Sequence, residues 1–230
     1  MSVIPFNKSE PIKPKRLSAI KRKELLLDVA LEVFSAKGYE NTSMDEIAEL
    51  AGVTKPIVYQ HFDSKKSLYV ELSDTVSNNL IDAIKNATHN CESPKSQVEQ
   101  GFRAYFNFVA SHSSAFKLLF SRNSAADKEL SNSVKNVEQT IANVLAPLID
   151  LKISESHRYI LASAIIGMAE GALRHWVNSE DFTIIQTMTK QEKDMFLFKR
   201  STELAINVAE LAWAGLRGIK PVNQIVERHT

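Results

Sequence analysis

Between residues 42 and 66, hydrogen-bond donors and one short apolar side chain are spaced as a helix that reads a nucleic acid would need them. Lys55, Pro56, Ile57, Tyr59, Gln60 and His61 make up the outward side of a short predicted helix. An ammonium such as that of Lys55 suits guanine O6 and N7 or a phosphate. Ile57 suits a thymine methyl, and the Gln60 amide an adenine edge. Tyr59 and His61 are donors of the kind that bind phosphates. So are Thr42, Thr54 and Lys65, the last beside the start of a following helix. An isoleucine exposed on so short a helix is unfavourable unless something covers it.

No other constellation carries chemistry. The six histidines (61, 89, 112, 157, 175 and 229) have no metal-ligand spacing with carboxylates or with the lone Cys91. There is no glycine-rich phosphate loop and no nucleophile elbow. Glu155 and His157 are two apart, so they do not face one another on a helix. The expectation is therefore no catalytic residue, no metal and no cofactor.

Two short helices have to position that reading surface. Ser43-Met44-Asp45-Glu46 reads as a capping box, with the serine capping and the glutamate reaching back. It opens a helix over about 44–51 with Ile47, Leu50 and Ala51 inward. Gly52-Val53-Thr54 then makes a three-residue turn, with Gly52 allowing the tight bend. Thr54 is placed to cap the next helix, and Pro56 falls in its first turn, where a missing N–H costs nothing. Val53 and Val58 fill the angle between the helices, over Ile47. A preceding helix, about 20–37, buries Leu26, Ala30, Val33 and Phe34, and Gly38 is placed for a left-handed cap. Its first turn holds Lys21, Arg22 and Lys23, the wrong sign for a helix N-terminus and one that a nearby phosphate would offset.

The rest of the chain is also helical in spacing. From Ser64, Leu68, Leu72, Val76, Leu80 and Ile84 recur every four residues, predicting a helix long enough to run from one domain into another. Further helices are predicted from Ser93-Pro94 to about Ala110, over 114–120, over 130–148 with Pro147 near the end, from Ser154 to about Val177, and from the capping box at Thr189 to about Gly215–Gly218. The stretch 178–189 reads as a loop. The class is all-α, in three parts: a flexible basic arm (1–19), a helix-turn-helix domain (20–66) and a second helical domain (67–230).

Bulk properties agree with a soluble protein: 44% hydrophobic and 24% charged residues over 230 positions. The single cysteine excludes an internal disulfide and fits a reducing compartment. The N-terminus has Pro5, Pro11 and Pro14 and no apolar run, so no secretory signal is read there. Leu161–Val177 is interrupted by Ser163, Glu170, Arg174 and His175, so no membrane span is expected. Net charge is only +1. Yet residues 1–23 carry seven Lys and Arg against Glu10, leaving an acidic remainder. Such an arm is either a solvated tail or one anionic contact region. The expected location is cytoplasmic, on the nucleoid.

The run from Asn41 to Leu68, with Gly52-Val53, Lys55, Tyr59, His61-Phe62 and Ser64-Lys65, closely resembles the TetR (tetracycline-repressor) family. The preceding Ala30, Phe34, Gly38 and Tyr39 match it as well. The resemblance is specific over about residues 20–72; beyond them it rests on helical layout. It implies a homodimer on a partly palindromic double-stranded operator, and a small-molecule effector bound by the second domain. The implied role is most simply a repressor released by that effector. The implied DNA contacts are Thr42 or Ser43, Thr54, Lys55, Pro56, Ile57, Tyr59, His61 and Lys65. Thr54 replaces a frequent serine, and Lys55-Pro56 a frequent Lys-Gly or Arg-Gly, which removes a backbone donor. The rival reading is an architectural or non-specific DNA binder without effector.

Two further sets of residues follow. Ala164, Gly167, Met168 and Gly171, with Leu204, Val208, Leu211 and Ala212, form small or apolar stripes. They suit either a four-helix interface with a second subunit or the domain's own core. Phe102, Arg103, Phe106, His112, Phe116, Phe120, Arg174, His175 and Trp176 offer aromatic surface with polar handles. They suit either an effector pocket or, at helical spacing, ordinary core.

Overall fold

A computed structural model describes residues 18–112, 139–149, 151–177 and 185–219. Among them every regular element is a helix. The predicted arm up to residue 17, the helix at 114–120, Leu130, Val134 and Val137, and most of the 178–189 loop lie outside the described residues.

Helix α1 (Ala19–Lys37) starts at Ser18, whose Oγ accepts from Lys21 N–H, and buries Leu26, Ala30, Val33 and Phe34. Gly38 ends it at φ 78° and ψ 168°. That is an extended positive-φ conformation essentially reserved for glycine, not the left-handed helical cap expected. Lys23 in its first turn does not wait for a phosphate. It pairs with Glu71 and lies over the Phe62 ring.

Helix α2 (Met44–Leu50) is capped by Ser43, whose Oγ accepts from Glu46 N–H at 3.2 Å. The reciprocal half of the expected box is not made, because the Glu46 carboxylate turns to Lys37 instead. Leu50, expected inward, is 62% exposed, and Met44 and Ala48 join Ile47 in the core. A seven-residue helix has room for one buried stripe, and the stripe runs 44–47–48, leaving position 50 on the outside. Gly52 turns the chain at φ 65°.

Helix α3 (Lys55–His61) starts from Thr54 in extended geometry with Pro56 in its first turn, but the Thr54 hydroxyl makes no cap bond. Val58 on α3 is fully buried, as is Ile47 beneath it, and Val53 packs beside them.

Helix α4 (Lys65–Thr88) is capped by a reciprocal Ser64–Ser67 pair and buries the predicted Leu68, Leu72, Val76, Leu80 and Ile84. At about 1.5 Å per residue it spans roughly 36 Å. Its first turns pack on α1 and its later turns on α5 (Pro94–Ser111), so one rod joins both halves of the molecule. Ring packing fixes its start. Tyr69 meets Phe34 and Tyr39 edge-on, at 5.1 and 5.2 Å between centroids.

In the second half, α5 buries Phe102, Tyr105, Phe106 and Val109. Residues 139–145 are helical and tighten into a 3-10 turn at Ala146–Leu148, where Pro147 was expected to end the helix. Helix α6 (Glu155–Val177) follows, with Ser154 accepting from His157 N–H. Helix α7 (Lys190–Gly218) starts at a complete Thr189–Glu192 box. It lays Ser201, Ala205, Ala209 and Ala212 against α5. Small side chains there let the two axes come close. The buried Ser201 hydroxyl donates to Asn107 Oδ1 of α5 at 2.9 Å.

Candidate nucleic-acid interface and effector cavity

The two helices α2 and α3 meet through Ile47 and Val58, which leaves the rest of α3 turned outward. Thr54, Lys55, Pro56, Tyr59 and Gln60 are exposed, and Ile57 and His61 are half-buried. The predicted reading face is thus brought together on one side of α3. One feature of it was not foreseen. Lys55 Nζ sits 2.9 Å from the Asp45 carboxylate of α2. The hydrogen bond to Asp45, then its charge, hold the Lys55 ammonium above the ordinary lysine range. Lys55 is therefore fully cationic and already oriented.

Two expected contacts are placed elsewhere. Thr42 is only 3% exposed, and its hydroxyl donates to Gly38 O at 2.8 Å, so it closes the α1–α2 turn rather than facing outward. Lys65 Nζ donates to the carbonyls of Tyr39 and Thr42 at 2.8 and 2.9 Å, and to Glu40 O at 3.3 Å. It also lies 4.4 Å from the centre of the Tyr39 ring. This ammonium ties the α1–α2 turn to the start of α4; its donors are not presented to a phosphate. Ser43 stays exposed while its Oγ caps α2.

The expected aromatic pocket is mostly not where the residues lie. A cavity of about 240 Å³ opens between the end of α4 and the start of α5, α6 and the end of α7. Of the predicted residues that are described, only Phe102 lines it. Phe106 and Trp176 belong to the core. Arg103, Arg174 and His175 are exposed, and His112 stacks on Phe108 at 4.6 Å. Phe116 and Phe120 lie outside the described residues. The cavity wall is instead Ile84 and Thr88 of α4, Val98 and Tyr105 of α5, Ile141, Leu145 and Ile149 of the segment before α6, Ile165 and Ile166 of α6, and Trp213 and Leu216 of α7. Arg217 lines it while remaining exposed. These residues come from five segments remote in sequence, so spacing within any one of them gave no sign of a cavity.

The polar groups of that wall are few. The Thr88 hydroxyl donates to Ile84 O at 2.8 Å, and the Gln97 amide donates to Thr88 O at 3.4 Å. Burial, and secondarily the Glu170 carboxylate, push the Tyr105 hydroxyl far above the usual phenol range, with Arg174 opposing them. It stays protonated, a hydrogen-bond donor.

The stripe on α6 is open. Ala164, Gly167 and Gly171 are exposed, Met168 is half-buried, and no atom stands near the Cβ positions of either glycine. On α7, Leu211 is 64% exposed and Leu204 half-buried. Val208 and Ala212, expected with them, are buried in the chain's own core, because they share the α5-facing side of the helix with Ala205 and Ala209. Among the described residues no three metal-ligating side chains gather, and no helix is long and apolar enough to cross a membrane.

Comparison with known proteins agrees with this layout. Residues 26–72 match the family described as bacterial regulatory proteins, tetR family, and residues 94–199 match the tetracyclin repressor-like C-terminal domain. The transcriptional activator FasR of Mycolicibacterium smegmatis is 29% identical over 72% of this chain and 76% of its own length. The negative regulator IcaR of the biofilm operon in Staphylococcus aureus is 26% identical over 56% of this chain and 69% of its own. The regulator FadR of Bacillus subtilis, solved with stearoyl-CoA, superposes with a TM-score of 0.64 at 17% identity, covering 86% of this chain and 99% of that one. A helix-turn-helix with an outward α3, joined by α4 to a helical second domain, and both halves matched by the same family, place this chain in the TetR family of transcription regulators, DNA-binding proteins rather than enzymes.

Proposed function

We propose that the protein is a homodimeric repressor that binds a palindromic operator through α3 and leaves it when a small-molecule effector fills the cavity. The observation that carries the DNA half is the α3 face. Lys55, Tyr59 and Gln60 are exposed there on a helix anchored by a fully buried Val58. Lys55 and Gln60 suit base edges. Thr54, Tyr59 and His61 suit phosphates, and the half-buried Ile57 suits a thymine methyl. Two such helices must sit about 34–36 Å apart to enter successive major grooves, which requires a two-fold dimer. The open stripe of Ala164, Gly167 and Gly171, with Leu211, supports α6 and α7 as the dimer face.

The effector half rests on the cavity. Its wall is almost wholly apolar, with Arg217 lining it and exposed. An amphiphile with an acyl-like tail and an anionic end suits that arrangement, and the stearoyl-CoA bound by FadR of Bacillus subtilis supports the class. Cavity and α3 communicate through α4, which contributes Ile84 and Thr88 to one and packs on α1 at its other end. A ligand shifts the equilibrium only as far as it prefers the conformation with misplaced α3 helices.

The test is selection of fragments from genomic DNA, followed by binding of the selected and a scrambled duplex at several salt concentrations. Discrimination of about a thousandfold or more is expected. Equal affinity for both would leave only the non-specific reading. Release of the selected duplex by an acyl-CoA then tests the effector half, and a reporter fused to the selected site reads the sign of regulation.

A further inference from the structure

The side chain of Tyr105 does something in the cavity that an apolar wall does not require. It lines the cavity, is 5% exposed, and its hydroxyl has no hydrogen-bond partner. The other buried polar groups of the wall are already bonded along the backbone of α4, through Thr88 and Gln97. A phenylalanine would pack the same ring edge-on to Phe106, 5.3 Å away, without leaving a hydroxyl unsatisfied. Burying a hydroxyl without a partner is destabilising. Buried polar groups are rarely left unsatisfied in a native structure, so the hydroxyl calls for a partner from outside the chain.

Resting on the effector reading above, we infer that Tyr105 is a specificity-determining residue. It donates a hydrogen bond to a neutral oxygen, a carbonyl, hydroxyl or ether, carried partway along the apolar body of the ligand. The oxygen is neutral because the hydroxyl is buried, which disfavours a charge there, and because the Glu170 carboxylate of α6 outweighs Arg174 at that point. The anionic end of the ligand belongs at the exposed Arg217. Tyr105 lies near the end of α5's lining face, two turns beyond Val98. The ligand oxygen therefore sits deep, away from the helix start at Pro94, and plain saturated chains are poor ligands by comparison. A site built to hydrogen-bond a ligand rejects the analogue that lacks the polar atom more strongly than an apolar pocket rejects an extra methylene.

The experiment uses the full chain and its Tyr105→Phe variant. Dodecanoic acid and its oxo derivatives, the keto group moved along the chain one isomer at a time, are titrated calorimetrically into each protein. One oxo isomer is expected to bind the native protein about tenfold more tightly than dodecanoic acid, on the order of one net hydrogen bond. Tyr105→Phe is expected to erase that preference and keep its affinity for dodecanoic acid. The unliganded variant is also expected to melt at a higher temperature than the native protein, since it loses an unsatisfied buried hydroxyl. If dodecanoic acid binds but no isomer is preferred, or the preference survives in Tyr105→Phe, the Tyr105 inference is overturned while the cavity reading stands. A lower melting temperature for Tyr105→Phe would show the hydroxyl bonded without ligand and would also overturn it. Failure of every probe to bind either protein would overturn the cavity reading and this inference together.

Discussion

Two lysines a few residues apart do opposite work. Lys55 is held by Asp45 on the surface, and Lys65 is held by three carbonyls beneath it. The difference is what each would leave behind. Removing Lys65 strands carbonyls of Tyr39, Glu40 and Thr42 in a turn that is otherwise closed. Lys65→Met, which keeps the aliphatic stem over Tyr39, is expected to cost about 2 kcal/mol of stability in urea unfolding, the range for bonds to a charged donor. A Lys65→Met protein of native stability that had lost DNA affinity would restore the phosphate-contact expectation. Lys55 belongs to the opposite case, because a surface ion pair contributes little to folding. Asp45→Asn is expected to leave stability nearly unchanged, to remove a negative charge from the proposed DNA-facing side and to release Lys55. The expected result is tighter binding to any duplex and a smaller ratio between operator and scrambled DNA, read by fluorescence anisotropy. An unchanged ratio would show that Asp45 does not set how Lys55 is used.

At the scale of elements, turns and caps decide where the helices point. Gly52 sits at φ 65° with open space where a Cβ would go, so a substitution there meets only backbone strain. Gly52→Ala is expected to destabilise by about 1–2 kcal/mol. It should also weaken operator binding, since the α2–α3 angle has no other pivot. Full operator affinity in Gly52→Ala would show that the turn tolerates other geometries. Helix α7 depends on its first turn. The Thr189 hydroxyl and N–H both donate to the Glu192 carboxylate, at 2.7 and 2.9 Å. The hydroxyl bond, then the backbone bond, hold Glu192 below the usual glutamate range. A lowered carboxylate contributes stability that is present above its unfolded value and lost as pH falls through the folded one. Glu192→Ala should therefore melt earlier than the native protein near neutral pH. The gap should close as the solution is acidified below the glutamate range, and a gap independent of pH would remove the carboxylate from the account.

For the whole molecule, the question is which apolar surface is core and which would meet a second subunit in the proposed dimer. Val208 and Ala212 are inside, whereas Leu211, Gly167 and Gly171 are outside. Leu211→Glu is expected to leave the fold intact, because the side chain is already exposed, and to convert the dimer to monomer in sedimentation velocity. Operator affinity should fall with it, since one α3 then engages one groove. A dimeric Leu211→Glu with normal operator binding would place the two-fold axis on another face.

The DNA-binding half was legible in the sequence because its determinants are local. Ser43, Gly52, Thr54 and Pro56 specify turn and helix starts within a few residues. The four-residue period of Leu68 to Ile84 marks the linking helix whatever surrounds it. Even there, local pattern overreached: Leu50 was assigned inward, Glu46 to a cap, and Lys65 and Thr42 to phosphates. Leu50 fell outside the one stripe a short helix can bury, and the other three concern which of two nearby partners a side chain chooses, a matter of three-dimensional proximity. The second half reversed the balance. Its helices were largely placed by caps and proline, but no periodicity could separate an aromatic that packs from one that lines a cavity. Phe102 and Phe106 are one helical turn apart on α5, yet only the first meets the cavity. The residues that line it elsewhere, among them Ile84, Tyr105, Ile141, Ile166 and Trp213, converge from five segments, so only their packing decides that a space remains between them. The sequence by itself determined the helices, the turn and the outward face of α3. Tertiary structure decided the cavity, the unsatisfied Tyr105 and the side of α7 that remains open, because each depends on which distant helix comes to lie alongside.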